Sequence, residues 1–147
     1  MKIASTQYTL QHKALEIYLS GCDGHCGRGC HNQELWDFDI GNDYSSELPK
    51  IVKKAKDFKG LIDNLWILGG EPLLQEHIEL MDLIHELKNT DKKIWLFTRY
   101  DIEEIPSYIK DICDYIKCGR YIPELVCDDN VQYGVKLSTS NQIIYKK

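Results

Sequence analysis

An α/β fold with a mostly parallel sheet is what this sequence implies. Short apolar segments rich in β-formers alternate with stretches of helical spacing, the order of strand, helix, strand units joined by right-handed crossovers. At 147 residues the chain suffices for one core and reads as a single domain over residues 1–147. It is too short for a full eight-fold α/β barrel, which takes about 250 residues.

Leu15-Glu16-Ile17-Tyr18-Leu19 alternates apolar and polar residues and reads as the first strand. Gly21 to Gly29 holds four glycines and forms a loop. Glu47 to Phe58 places Leu48, Ile51, Val52, Ala55 and Phe58 on one helix face, with Ser46 as its cap and Pro49 expected in the first turn. Leu65-Trp66-Ile67-Leu68 is a buried-strand pattern that runs straight into Gly69-Gly70-Glu71-Pro72. A helix follows from about Leu74 to Lys88, with Ile78, Met81, Leu83, Ile84 and Leu87 apolar. Asn89-Thr90-Asp91 ends it, and Lys93 to Thr98 is the next strand. Ile105 to Ile112 reads as a short helix beginning near Pro106, and Tyr115-Ile116-Lys117 as a further strand. Tyr121 to Val126, Tyr133 to Leu137 and Gln142 to Tyr145 complete the chain as short strands. No repeat, low-complexity tract or linker interrupts the pattern.

Hydrophobic residues make up 43% and charged residues 28%, the proportions of an ordinary globular domain, which sets aside disorder, collagen and disulfide scaffolds. The net charge of −5 argues against a broad grip on nucleic acid. No run approaches the roughly 18 apolar residues of a membrane helix, and Met1 to Gln7 lacks a signal-peptide core, so the expected location is the cytoplasm. Lys50, Lys53, Lys54, Lys56 and Lys59 spread around a helix and read as a solvated face. Trp66 and Trp95 sit in strand patterns and read as core, whereas Trp36, among Glu34, Asp37 and Asp39, reads as a docking or packed loop residue.

Cys22, Cys26 and Cys30 share one glycine-rich loop directly after a strand, with three residues in each gap. In a reducing compartment such a thiol cluster is a metal site, and soft thiolates select iron–sulfur clusters, zinc or copper(I). Three thiolates on one loop leave a coordination position open, which is where chemistry can occur. Zinc closed by His25 or His31 as a fourth ligand is the alternative, and it corresponds to a zinc-stabilised binding module without enzymatic activity. Cys113, Cys118 and Cys127 are scattered and read as small buried residues. Gly69-Gly70-Glu71-Pro72 opens a helix after a strand, a turn whose backbone amides can meet a ligand and whose Glu71 can accept from an amino group.

The cysteine loop and the Gly-Gly-Glu-Pro turn together resemble the radical S-adenosylmethionine superfamily. Cys30-His31-Asn32-Gln33-Glu34-Leu35-Trp36-Asp37-Phe38, Gly69 to Leu73, Trp95 to Tyr100 and Ser140 to Ile144 narrow the resemblance to the activating proteins of anaerobic ribonucleoside-triphosphate reductase. The resemblance implies a small incomplete (βα) barrel with its chemistry at the C-terminal ends of the strands. It implies a 4Fe-4S cluster on Cys22, Cys26 and Cys30, with S-adenosylmethionine as second cofactor. Reductive cleavage to a 5′-deoxyadenosyl radical, with an electron from a donor such as flavodoxin, then generates a glycyl radical on the large reductase subunit. Gly69, Gly70 and Glu71 are implied to hold the methionine amino group. Thr98 is implied to contact the ribose or carboxylate, though it serves equally as an ordinary strand-ending residue; Asn32 caps the loop or approaches the adenine. No catalytic side chain beyond the cluster ligands is implied.

Two residues depart from the pattern. The family has two residues between its last two cysteines, where this chain has Gly27-Arg28-Gly29, and Arg99 stands where the family has glycine. An extra residue between two glycines is expected to bulge without moving the thiolates far. The Arg99 departure keeps activation of a different glycyl-radical enzyme open as an alternative.

Overall fold

In the computed structural model, which describes residues 1–58 and 60–147, the pattern of alternation resolves into one mixed sheet and three helices. Lys59, assigned above to the solvated lysine face, lies outside the described residues. The chain runs β1 (Lys2–Thr9), β2 (Ala14–Leu19), β3 (Asn42–Asp43), α1 (Tyr44–Asp57), β4 (Asn64–Gly69) and α2 (His77–Lys88). It continues through β5 (Lys93–Phe97), α3 (Ser107–Ile112), β6 (Tyr115–Cys118), the hairpin strands β7 (Val131–Gln132) and β8 (Val135–Lys136), and β9 (Ile143–Lys146).

The seven-stranded sheet has the order β3-β1-β2-β4-β5-β6-β9. Its centre, β2, β4, β5 and β6, is parallel, as the crossovers through α1, α2 and α3 require. Its edges are antiparallel: β1 returns on β2, and β9 on β6. Parallel pairing is therefore confined to the core of a mixed sheet. The strand over Lys2–Thr9 is an addition to the sequence reading; its run of Ser, Thr and Gln carries little apolar alternation, and its pairing with β2 supplies what periodicity does not.

Period-two alternation assigns the two faces. Leu15, Ile17 and Leu19 of β2, Leu65 and Ile67 of β4, and Ile94 and Leu96 of β5 join Ile51 and Ala55 of α1 and Leu80, Leu83, Ile84 and Leu87 of α2 in the main core. Trp66 and Trp95 point to the opposite face and pack with Val135, Leu137 and Ile144 of the C-terminal segment. Both tryptophans are buried, as their strand patterns imply.

Several boundaries differ from expectation for local reasons. The first helix begins at Tyr44, and Ser46 lies inside it, its hydroxyl donating to Asp43 O. Pro49 consequently falls in the second turn, on the exposed side. Pro72–Leu74 form a separate 3-10 turn, so α2 starts at His77, with the Glu76 carboxylate accepting from Glu79 N at 3.0 Å. Ile78 then points to solvent at 72% exposure rather than into the core. The expected strand over Tyr121 to Val126 is instead a 3-10 turn at Pro123–Leu125, because proline lacks the N–H a ladder needs.

Candidate functional site

Because the four central strands are parallel, their C-terminal ends open on the same edge, and the segments that leave them form one cavity of about 220 Å³. The loop after β2 contributes Cys22, Cys26, Cys30, Asn32 and Trp36 to its wall. The β4 end contributes Gly69, Gly70 and Glu71, the β5 end Thr98 and Arg99, and β6 contributes Lys117 with Gly119, Arg120 and Tyr121 beyond it. All three cysteines of the loop and all five residues expected to meet the second cofactor thus line one space.

The cysteine loop is fixed through its backbone. Gly21 N donates to Leu35 O at 2.7 Å and Cys22 N to Trp36 O at 3.1 Å, folding the return segment back over the loop entry. The extra residue between Cys26 and Cys30 is wound into a 3-10 turn over Gly27–Gly29, with Gly27 at φ +61° and Cys30 N donating to Gly27 O at 3.1 Å. Cys30 stays in the cavity wall, and Arg28 faces solvent. Burial pushes the Cys22 thiol up, opposed by the Gly24 amide and the Arg99 guanidinium. Trp36 is half-buried, its ring within 3.1 Å of where a Gly24 Cβ would sit, so it packs on the loop.

The Gly-Gly-Glu turn is packed against that loop so closely that no side chain fits. Gly69 has φ +116°, and a Cβ there would lie 2.3 Å from Leu19 O; one on Gly70 would lie 2.3 Å from Gly21 O. Gly70 N and Glu71 N donate to those same carbonyls, each at 2.8 Å, so these N–H groups are not free for a ligand. An amino group is a donor and needs acceptors, so engaged N–H groups leave carbonyl oxygen as what this turn can offer it.

Glu71 is 2% exposed and its carboxylate accepts three hydrogen bonds within the protein. It accepts from Thr98 Oγ1 at 2.6 Å, Arg99 N at 2.9 Å and Leu73 N at 3.0 Å. Burial pushes its carboxyl up, against the pull of these donors. Thr98 is likewise committed: its hydroxyl donates to Glu71 and accepts from Tyr100 N at 3.2 Å. Both residues therefore build the wall that a ligand meets. Asn32 lines the cavity from the end of the loop, where its carbonyl accepts from Leu35 N at 3.0 Å.

Further residues line this cavity or brace its walls, and of them only Asn141 and Gln142 belong to a motif marked in the sequence. Gln75 is buried and its amide donates to Ser20 O, Gly21 O and Glu71 O, joining the loop to the glycine turn. Lys117 is half-buried, its ammonium enclosed and donating to Gly119 O at 2.7 Å; burial lowers its pKa to about 8. Gln142 donates to Gly119 O at 3.2 Å, and Asn141 to Arg120 O at 3.0 Å, which explains physically why an Asn-Gln pair belongs in this tail. Lys117 and Gly119 are signalled only by their positions at a strand end, and Gln75 by nothing in the sequence pattern.

The donor set suits an iron–sulfur cluster. Three thiols face one cavity, and no three His, Cys, Asp or Glu side chains among the described residues gather around a single point as ligands of one ion. A cluster does not require them to, since each thiolate binds a different iron. Cys113 and Cys118 are buried away from this loop, where burial pushes their thiols up to about 12 and about 11, and Cys127 is half-buried rather than core.

Comparison with known proteins agrees with this geometry. Residues 13–144 match the model of the family described as 4Fe-4S single cluster domain. A protein of Vibrio cholerae named anaerobic ribonucleoside-triphosphate reductase-activating protein is 28% identical over 137 residues, covering 88% of this chain and 85% of its own. A Haemophilus influenzae protein of the same name is 29% identical over the same shares. One from Enterobacteria phage T4 is 30% identical over 109 residues, 71% of this chain and 69% of its own. Sharing the cluster-binding family over nearly its whole length, and these relatives over most of theirs, the chain belongs to the 4Fe-4S single cluster domain family, among the anaerobic ribonucleoside-triphosphate reductase-activating proteins.

Proposed function

We propose that the protein activates anaerobic ribonucleoside-triphosphate reductase by generating a glycyl radical on it. The observation that carries this reading is the convergence of Cys22, Cys26 and Cys30 with Gly69, Gly70 and Glu71 on one cavity, in a chain whose relatives carry that activity in their names. Cys22, Cys26 and Cys30 would hold the 4Fe-4S cluster, and S-adenosylmethionine would be the second cofactor. When bound, this pair supplies a one-electron reductive cleavage that yields the hydrogen-abstracting 5′-deoxyadenosyl radical.

The chain's own residues position and enclose. Carbonyl oxygens of the Gly69-Gly70 turn accept from the methionine amino group, held in place by the bonds of that turn to Leu19 and Gly21. Glu71 and Thr98 keep the β4 and β5 ends at a fixed separation, and Asn32 closes the loop side. Lys117 and Arg120 bring positive charge to the β6 side, where a carboxylate is best accommodated. We read the sheet as the wall of a small incomplete barrel; the face that carries Trp66 and Trp95 is covered by Val135, Leu137 and Ile144, and the open side suits a macromolecular substrate. A reduced donor such as flavodoxin supplies the electron. The reactive thiols suit a reducing compartment such as the cytoplasm, and no described helix is long and apolar enough to cross a membrane.

The test is electron paramagnetic resonance on anaerobically reconstituted, reduced protein with and without S-adenosylmethionine, alongside iron, sulfide and zinc content. A reduced-cluster signal that changes on adding S-adenosylmethionine, followed by a glycyl radical signal when reductase is added, is the expected result. Stoichiometric zinc with no cluster signal overturns the reading.

A further inference from the structure

Arg99 has a full set of partners in the structure. Its side chain is 12% exposed, at the end of β5. The guanidinium meets both carboxylate oxygens of Asp23, Nη2 to Oδ2 at 2.7 Å and Nη1 to Oδ1, a fork-to-fork pair across 76 residues of sequence. Nη2 also donates to Tyr100 Oη at 3.2 Å, and the guanidinium carbon lies 4.9 Å from the centre of that ring. On the other side, Nε stands 4.0 Å from Glu71 Oε2, the oxygen that already accepts from Arg99 N.

Asp23 is itself a hub of the cysteine loop. It follows Cys22 directly, its Oδ2 is 2.6 Å from His25 Nδ1, and its Oδ1 accepts from His25 N at 3.3 Å. One guanidinium therefore sits between two carboxylates, one on the glycine turn and one on the loop between Cys22 and Cys26. A glycine at this position keeps the backbone bond to Glu71 and makes none of the side-chain contacts. A loop tied at one more point has less freedom to lose when its thiols converge.

We propose that Arg99 is a positioning residue for the cluster: it clasps the Cys22–Cys26 stretch to the β5 end and, as the cation between Asp23 and Glu71, sets how readily the cluster accepts an electron. This rests on the reading that Cys22, Cys26 and Cys30 hold the cluster. The two parts separate by chemistry. Clasping needs the planar fork, whereas charge balance needs only a cation. Without Arg99, an unpaired Asp23 carboxylate beside a ligand disfavours the reduced, more negative cluster; without Asp23, a freed cation favours it.

The experiment compares wild type with Arg99→Gly, Arg99→Lys, Asp23→Asn and the Arg99→Gly/Asp23→Asn pair. Three readouts are used: iron release to a chelator, redox titration followed by electron paramagnetic resonance, and protease cleavage of the apo protein within residues 21–32. Arg99→Gly is expected to release iron several-fold faster, to shift the midpoint potential negative and to speed cleavage of the loop. Asp23→Asn shifts the potential positive, and the pair returns it toward wild type while the loop stays loose. Arg99→Lys keeps the potential near wild type with faster release. Wild-type potential, release rate and cleavage in Arg99→Gly overturn the proposal, and so does a potential shift of the same sign in Arg99→Gly and Asp23→Asn. Absence of any cluster signal from the wild type overturns the cluster reading itself and is told apart by that control.

Discussion

The glycines of the site differ in what a single methyl group would cost them. Gly69→Ala combines φ +116° with a Cβ placed 2.3 Å from a backbone oxygen of β2, neither of which can relax without parting β2 from β4. It is expected to destabilise the apo protein by about 3 kcal/mol. Gly27→Ala, at φ +61° with nothing within 4 Å, carries only the conformational penalty, about 1 kcal/mol. Urea denaturation of both variants checks the ordering. Glu71→Ala removes the acceptor that serves Thr98, Arg99 and Leu73 together and strands their donors in the interior, so a loss of about 3 kcal/mol is expected in the same measurement. At this scale the sequence marked Glu71 and Thr98 as ligand contacts, while the structure shows both committed to each other. Residue identity reveals donor and acceptor capacity; it does not reveal whether a neighbour has already used it.

Elements with strong periodicity were legible: β2, β4 and β5 lie where their apolar spacing placed them, and the two longer helices overlap their expected spans, with α1 starting three residues earlier and α2 three residues later, and with Phe58 and Ile78 exposed. The strand β1 was not, since Ser5 and Gln7 are exposed and it is backbone pairing with β2 that makes it a strand. In the tail, β8 and β9 fall within or beside their expected segments, whereas the side-chain bonds of Gln142, Asn130 and Gln132 that tie the tail together left no periodic signal. Strand β6 carries its own prediction. Lys117 falls to about 8 from an ordinary 10.5, so between these values the unfolded chain holds the extra proton and stability rises with pH. Cys113, Cys118 and Tyr18 act in the opposite sense, since each is raised and the unfolded chain loses its proton first. The contribution of Lys117 is isolated by difference: stability of wild type relative to Lys117→Met should improve from pH 8 to pH 10.5, read by chemical denaturation of the apo protein. A flat difference across that window means the ammonium is not enclosed.

At the scale of the whole molecule, cluster ligands and the wall they face come from strand ends that adjoin in the sheet yet lie far apart in the chain, from Cys22 to Gln142. A bound group that exists only in the folded state stabilises it by mass action. Reconstituted protein should therefore melt above the apo form, and strict removal of iron should return it to the apo midpoint; differential scanning calorimetry in anaerobic buffer decides it. The same arrangement bears on time as well as energy. Parallel strands pair across long stretches of chain whose closure entropy must be met first, which makes their pairing slow. The loop that carries all three thiols emerges early in synthesis, but its walls at Gly69, Thr98 and Gly119 and the Gln142 bracket come later. Iron delivered to a nascent chain thus meets a floppy tripeptide-spaced thiol loop, and the durable site exists only once the last strand has docked, so maturation of this protein is a post-translational event by construction.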